Sequence, residues 1–294
     1  MRKTSFAGAI TVITGAGSGI GRAAAELAAA RGASLVLTDI QGDLLGEVAA
    51  RLGDAVLHHE ALDVTDAEAV LAFAERTHAA VGGSVDIVMN VAGISTWGRI
   101  QDLELQHWQR TVDVDLMGPI HVMHAFTPAM IDAGRGGHIV NVSSAAGLFG
   151  LPLHAPYSAA KFGLRGVNEV LRFDLAAHDI GVTLVCPGAV ATPLVGTVNI
   201  VGVDRDDPQV SKLVGHFEKH AVTPEVAAEK MLRAVEKGRH MAFTSNDIRF
   251  GWYGQRYVPF GYSVVMHVMN RMARKALRPG QAAGAVSPAT TKAR

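Results

Sequence analysis

The stretch that decides the fold is Ala9-Ile10-Thr11-Val12-Ile13-Thr14, followed by Gly15-Ala16-Gly17-Ser18-Gly19-Ile20-Gly21 and then by an alanine-rich run. Six largely apolar, β-rich residues read as a buried strand, and the alanines after Gly21 read as a helix. Glycines between them allow a tight turn and close approach of backbone to a pyrophosphate. The helix N-terminus offers free N–H groups to that anion. A glycine cluster alone also marks ordinary turns, but the strand–turn–helix setting makes this one a dinucleotide cradle. Eighteen residues past Gly21, at the end of a second apolar run, stands Asp39 in Leu37-Thr38-Asp39-Ile40. A carboxylate there accepts from both hydroxyls of an adenosine ribose and repels a 2′-phosphate. No Arg or Lys adjoins it, which favours NAD over NADP. The plainer alternative for Asp39 is an ordinary strand-end aspartate.

Outward from this unit the same rhythm continues. Short apolar runs at 34–39, 55–59, 85–90, 137–143, 182–186 and 241–244 alternate with helical patterns at 20–31, 43–52, 66–80, 104–133, 155–178 and 224–237. Near-continuous hydrophobicity in the strands, with helices between them, predicts a mostly parallel sheet of about seven strands covered on both faces. This is a three-layer doubly wound α/β (Rossmann) fold. No internal repeat and no Pro/Gly/Ser linker interrupts the first 248 residues, so residues 1–248 are expected as one domain, with a substrate loop at 193–220. Residues 249–278 form a basic amphipathic extension, and 279–294, rich in Ala, Gly, Pro, Ser and Thr, read as a disordered tail.

Composition excludes several classes. Of 294 residues, 49% are hydrophobic and 18% charged, which is a globular balance rather than a disordered one. Lys plus Arg equal Asp plus Glu at 27 each, so no overall basic field exists to hold nucleic acid. The neutrality hides a split. From Arg249 onward there are eight basic residues and no acid, and the body before them carries −8. A single cysteine, Cys186, excludes an internal disulfide and suits a reducing, cytoplasmic setting. Met1-Arg2-Lys3 and the apolar run after it mimic a secretory signal, but cleavage there would destroy the glycine motif. No apolar run approaches the ~18 residues of a membrane span. His58-His59 and the His121/His124 pair lack further ligands, and no metal site is expected.

The chain resembles the short-chain dehydrogenases/reductases over roughly residues 6–244, with motifs in the family order. Thr14–Gly21 matches T-G-x-x-x-G-x-G, in which Gly15, Gly17, Ser18, Gly19, Ile20 and Gly21 surround the cofactor. Asp63-Val64 matches the pair that holds the adenine, and Asn90-Val91-Ala92-Gly93 matches N-x-A-G. Ser144 lies thirteen residues before Tyr157, and Tyr157-Ser158-Ala159-Ala160-Lys161 is the Y-x-x-x-K signature. Pro187-Gly188-Ala189-Val190-Ala191-Thr192 matches the segment whose backbone and threonine hold the nicotinamide carboxamide. The resemblance implies a nicotinamide-dependent oxidoreductase that assembles as a homo-oligomer, dimer or tetramer.

Hydride transfer from an alcohol requires that the hydroxyl proton leave, so a base must meet the alcohol oxygen. An ordinary tyrosine, pKa ≈ 10, is too weak an acid to serve as phenolate at neutral pH. A lysine four residues on along a helix lies one turn away on the same face, and its ammonium favours phenolate. Tyr157 and Lys161 have that spacing. By the resemblance, Lys161 also binds the nicotinamide ribose and Ser144 donates to the substrate oxygen. Asp115, in Asp113-Val114-Asp115-Leu116-Met117-Gly118, departs from the pattern by standing where the family has an Asn. By the resemblance, a role of the backbone carbonyl in holding a water near the lysine survives the change, whereas the side chain either pairs with Lys161 or shares a proton.

Apolar residues dominate the substrate side: Leu194, Val195, Val198, Ile200, Val201, Val203, Leu213, Val214 and Phe217 in the loop, with Leu148, Phe149, Leu151, Leu153 and Trp97. Such a lining suits a hydrophobic secondary alcohol or ketone, steroid-, retinoid- or lipid-like. Two other functions share parts of the pattern. A non-catalytic NAD-binding regulator of this fold would ordinarily have lost Tyr157 or Lys161, and a sugar-nucleotide epimerase would have a different glycine spacing and a larger substrate domain. In the extension, Val265, Val268, Met269, Met272 and Ala276 form one helical stripe and Arg271, Arg274, Lys275 and Arg278 another. Preceded by Trp252, Tyr253, Tyr257, Phe260 and Tyr262, that helix either makes peripheral contact with an anionic membrane or packs over the pocket or on another subunit.

Overall fold

The computed structural model describes residues 3–193, 198–202 and 221–276, with side chains to 273. Of the residues singled out above, Leu194, Val195, Val203, Leu213, Val214, Phe217, Arg278 and the 279–294 tail lie outside these residues, as do the side chains of Arg274, Lys275 and Ala276.

The first strand, β1 (Ile10–Thr14), is buried on both faces and feeds α1 (Gly19–Ala30) through the glycine turn. The chain then runs outward through β2 (Ser34–Asp39), α2 (Gly42–Leu52) and β3 (Val56–Ala61). α3 (Ala67–Val81), whose N-terminus is capped by the Asp66 carboxylate accepting from the Ala69 N–H at 3.0 Å, returns it to the other side of β1 as β4 (Ile87–Asn90). From there β6 (Gly137–Val142), β7 (Ile180–Cys186) and β9 (Met241–Phe243) extend the sheet. The order is β3-β2-β1-β4-β6-β7-β9, every pair parallel. A separate short pair, β5 (Thr96–Trp97) with β8 (Asn199–Ile200), lies above the sheet's C-terminal edge.

Because each central strand is buried on both faces, two cores form. One packs Leu35, Leu37, Ile87 and Met89 against the alanines of α1 and against α7 (Pro224–Glu236). The other packs Val12, Val88, Ile139 and Val182 against α3, α5 (Gly118–Ala133) and α6 (Ala155–Asp174). Small alanines on α1 let it sit close to the sheet, which brings its N-terminus to the ends of β1 and β2.

One expected element is corrected. The helix read as continuous over 104–133 is α4 (Leu105–Val112), then a π turn (Asp113–Met117), then α5. Pro119 has no N–H to give to the carbonyl four residues back, and a Cβ on Gly118 would lie 2.7 Å from Val64 Cγ2. The ladder therefore widens by one residue here, and Asp115 turns fully inward. At the far end, α8 (Asn246–Tyr257) and α9 (Pro259–Ala276) follow β9 and pack back beside the sheet's C-terminal edge.

Candidate active site

Doubly wound sheets bind ligands in the crevice beyond the strand C-termini where the chain order reverses, here between β1 and β4. A cavity of about 1040 Å³ lies along that edge. At one end are Gly15, Ser18, Gly19, Ile20 and Gly21, with Asp39, Asp63 and Val64 and the backbone of Ala92 and Gly93. At the other are Ser144, Tyr157, Lys161, Pro187, Gly188, Val190 and Thr192. Three expected residues stand outside the lining, among them Asp115, fully buried behind Lys161. Gly17 packs against Asp39, and Asn90 lies behind the wall, where its Nδ2 donates to Asn141 Oδ1 at 2.8 Å and Asn141 Nδ2 donates to Asn168 Oδ1 at 3.1 Å. That buried amide chain ties β4 and β6 to α6, the helix that carries Tyr157 and Lys161.

The glycine turn has the shape a dinucleotide needs. Gly15 has φ +67°, and a Cβ there would sit 2.8 Å from the Ala92 backbone. A Cβ on Gly21 would be 2.0 Å from the Gly15 carbonyl oxygen. The first turn of α1 holds no acidic side chain, and Ser18 makes no side-chain cap bond, so no side chain of the helix itself competes for its first N–H groups. The Asp39 carboxylate accepts from the Gly17 N–H (2.9 Å, Oδ2) and the Gln41 N–H (2.9 Å, Oδ1), which fixes it beside the turn. The Asp63 carboxylate is drawn into its own turn, accepting from the Thr65 N–H at 3.0 Å and the Thr65 hydroxyl at 2.8 Å. These residues fit the phosphates and adenosine of a nicotinamide dinucleotide.

At the other end, Tyr157 and Lys161 lie one turn apart on α6, with the Lys161 Nζ 5.6 Å from the Tyr157 ring centroid. Lys161 is buried, and its Nζ donates to the Val142 carbonyl at 3.1 Å. Asp115 Oδ1 stands 3.8 Å from that Nζ and accepts from the Ile94 N–H at 2.8 Å. Its Oδ2 has no hydrogen-bond partner among the described residues. Burial raises the Asp115 carboxyl to about 6, with the Lys161 ammonium and the Ile94 N–H pulling the other way. Burial and the Asp115 charge push the Tyr157 phenol up, while the Ser144 hydroxyl draws it down. Ser144 Oγ accepts from the Ala146 N–H at 3.1 Å, which leaves its own proton to donate.

The wall around this end is largely apolar: Trp97, Phe149, Leu151, Val198, Ile248 and Met269. Leu153 is held at φ +69°, a strained value for a branched side chain. There its carbonyl accepts from the Gly98 N–H at 2.8 Å and its side chain packs with Val198 and Ile200. Several lining residues have no signature in the sequence. His154 lies tilted against Trp97 with ring centroids 4.3 Å apart, and burial lowers its imidazole to about 4, so it is neutral. Arg110 and Asp247 reach the cavity only through tertiary packing. Cys186 lies under the floor, where burial pushes its thiol up to about 12 and leaves it inert.

The family described as short chain dehydrogenase matches residues 9–200. SadH of Mycobacterium tuberculosis, named an oxidoreductase, is 39% identical over 243 residues, covering 80% of this chain and 86% of SadH. EphD of the same organism, also named an oxidoreductase, is 37% identical over 240 residues. That match takes in 79% of this chain but 40% of EphD, so the chain spans well under half of that relative's length. Among solved structures, a short chain dehydrogenase/reductase from Burkholderia phymatum in complex with NAD superposes with a TM-score of 0.77 at 25% identity, covering 96% of this chain and 100% of that one. An alcohol dehydrogenase from Thermococcus sibiricus complexed with 5-hydroxy-NADP superposes at 0.68 and 25% identity, covering 80% and 95%.

Proposed function

This chain belongs to the short-chain dehydrogenase/reductase family, and we propose that it moves a hydride between NAD and a hydrophobic secondary alcohol or ketone. The observation that carries the reading is the meeting, at one end of a single cavity, of Ser144, Tyr157 and Lys161, with Asp115 buried behind Lys161 and an anion-ready helix N-terminus at the other end. The nicotinamide, when bound, supplies or takes the hydride. Gly15 to Gly21 and the α1 N-terminus would hold the pyrophosphate, Asp39 the adenosine ribose, Asp63 and Val64 the adenine, and Pro187 to Thr192 the carboxamide. Ser144, whose Oγ is already satisfied as an acceptor, donates to the substrate oxygen. Tyr157 holds or gives up the proton at its Oη. Lys161, kept in place by Val142 and Asp115, supplies the positive charge that makes the phenolate accessible.

Support for NAD is the fixed Asp39 carboxylate at the ribose end, with Ile40 rather than a base beside it. Support for an apolar substrate is the wall of Trp97, Phe149, Leu151, Val198 and Met269 around Tyr157. The exposed apolar residues Phe162, Val170 and Phe173 on α6 support a homo-oligomer, whose native mass light scattering would give. The test of function is cofactor reduction by purified protein with NAD or NADP against secondary alcohols, hydroxysteroids and retinol. Turnover of at least one apolar alcohol with NAD is expected, and failure with every alcohol, as well as with the matching ketones and NADH, would remove the reading.

A further inference from the structure

The described residues of the C-terminal helices leave an apolar surface uncovered. On α8, Phe250, Tyr253 and Tyr257 recur at helical spacing on one exposed face. On α9, Phe260, Val264 and Val268 do the same, and Phe260 is 82% and Tyr257 71% exposed. The opposite sides are occupied. Trp252 and Ile248 pack on Phe149, Arg165 lies 4.3 Å over the Trp252 ring, and the Tyr262 hydroxyl accepts from the Gly150 N–H at 2.9 Å. The hairpin is therefore anchored by its inner face at the mouth of the cavity, where Ile248 and Met269 line the opening, and its outer face is left apolar.

Charge identifies the occupant. Arg249, Arg256 and Arg271 are exposed among these aromatics, with Arg249 5.6 Å over the Phe250 ring, and none of the three joins an ion pair among the described residues. After Asp247 the sequence holds eight basic residues and no acid. A second copy docking by this face about a two-fold axis would set these arginines against the same basic segment of its partner, which holds no carboxylate after Asp247. An anionic lipid surface instead satisfies both features, since its headgroups take the cations and its acyl boundary takes the aromatics. No described helix is long and apolar enough to cross a membrane, so the contact is peripheral.

We propose that the α8–α9 hairpin seats the mouth of the cavity on an anionic membrane surface, with Arg249, Arg256 and Arg271 on the headgroups and Phe250, Tyr257, Phe260 and Val264 below them. Substrates dissolved in the bilayer then enter beside Met269. The test is flotation of the full chain with vesicles of phosphatidylcholine, with and without phosphatidylglycerol. Co-flotation with the anionic vesicles alone, lost at high salt, is expected. The triple variant R249Q/R256Q/R271Q should lower the partition coefficient on the order of 100-fold, about fivefold per arginine. F260S/V264S/V268S should lower it as well, with the unfolding midpoint and native mass unchanged. Three results would overturn the proposal: no co-flotation at low salt, equal binding to neutral vesicles by wild type and arginine variant, or a fall in native mass in F260S/V264S/V268S. The last would assign the face to another copy of the chain. None of these readings depends on turnover, so they stand or fall apart from the proposed reaction.

Discussion

Tyr157 and Ser144 carry the proton step if the proposed chemistry holds, and removing one oxygen isolates it. Tyr157→Phe keeps the ring that packs against His154 and Lys161 but loses the group that takes the proton, so kcat should fall by about 10²–10⁴ while NAD affinity stays within a few-fold. Stopped assays with isothermal titration of NAD check both halves, and near-normal kcat would remove the assignment. Asp115 makes a second residue-scale prediction. Its folded carboxyl titrates at about 6 against an ordinary 3.8 in the unfolded chain, so it contributes most favourably below pH 4, and that contribution is lost as pH rises through 6. The loss is on the order of 2–3 kcal/mol, at about 1.4 kcal/mol per pH unit. Asp115→Asn cannot ionise, so its stability relative to wild type should climb between pH 4 and 7 and level off above. A flat difference across that range, measured by denaturant unfolding, would show that Asp115 is ionised throughout.

At the scale of elements, the β1–α1 turn and the end of β2 set cofactor choice together, because Asp39 is bonded to the backbone of both Gly17 and Gln41. Asp39→Ala with Ile40→Arg replaces a carboxylate by a cation where a 2′-phosphate would lie, and Ile40 is exposed enough to carry the longer side chain. The ratio of kcat/KM for NADP to that for NAD should rise about 10- to 100-fold, the worth of a charge-assisted hydrogen bond gained and a repulsion lost. The ratio is the proper readout, since the substitution also orphans two N–H groups and lowers both values. An unaltered protein that already preferred NADP would sink the Asp39 assignment.

These elements were legible for a physical reason. Strands buried on both faces are uninterrupted apolar runs, and a glycine turn before a helix has few structural alternatives. The π turn at Asp113–Met117 was not legible, because 104–133 keeps a helical pattern throughout and the widening follows from Gly118 packing on Val64 and from the missing N–H of Pro119. The burial of Asp115, which gives its carboxyl an unusual titration, depends on that turn. His154 and Arg110 were equally silent, because nothing local distinguishes a residue that tertiary packing later brings to a cavity.

Across the whole molecule, the −8 body and the acid-free C-terminal segment meet at the cavity mouth, where α8 and α9 close the apolar end of the site. The sequence showed the charge split and the amphipathic stripe and left open membrane, pocket or subunit as the partner of the extension, and Ile248 and Met269 of the hairpin's inner face line the opening. If the hairpin shapes substrate binding, loosening its anchor should act on the substrate and spare the cofactor. Trp252 is that anchor, held by the Arg165 guanidinium at 4.3 Å and by the Phe149 cluster, far from the glycine turn. Trp252→Ala should raise KM for a bulky apolar alcohol about tenfold, the worth of one cation–π contact with partial burial of an indole, and leave NAD affinity within about twofold. Limited proteolysis should at the same time cut the α8–α9 connection faster than in wild type, since local opening has become cheaper. A lowered unfolding midpoint with KM unmoved would mean that the hairpin stabilises the fold without shaping the site, and substrate selection would then rest on Trp97, Phe149, Leu151 and Val198 alone.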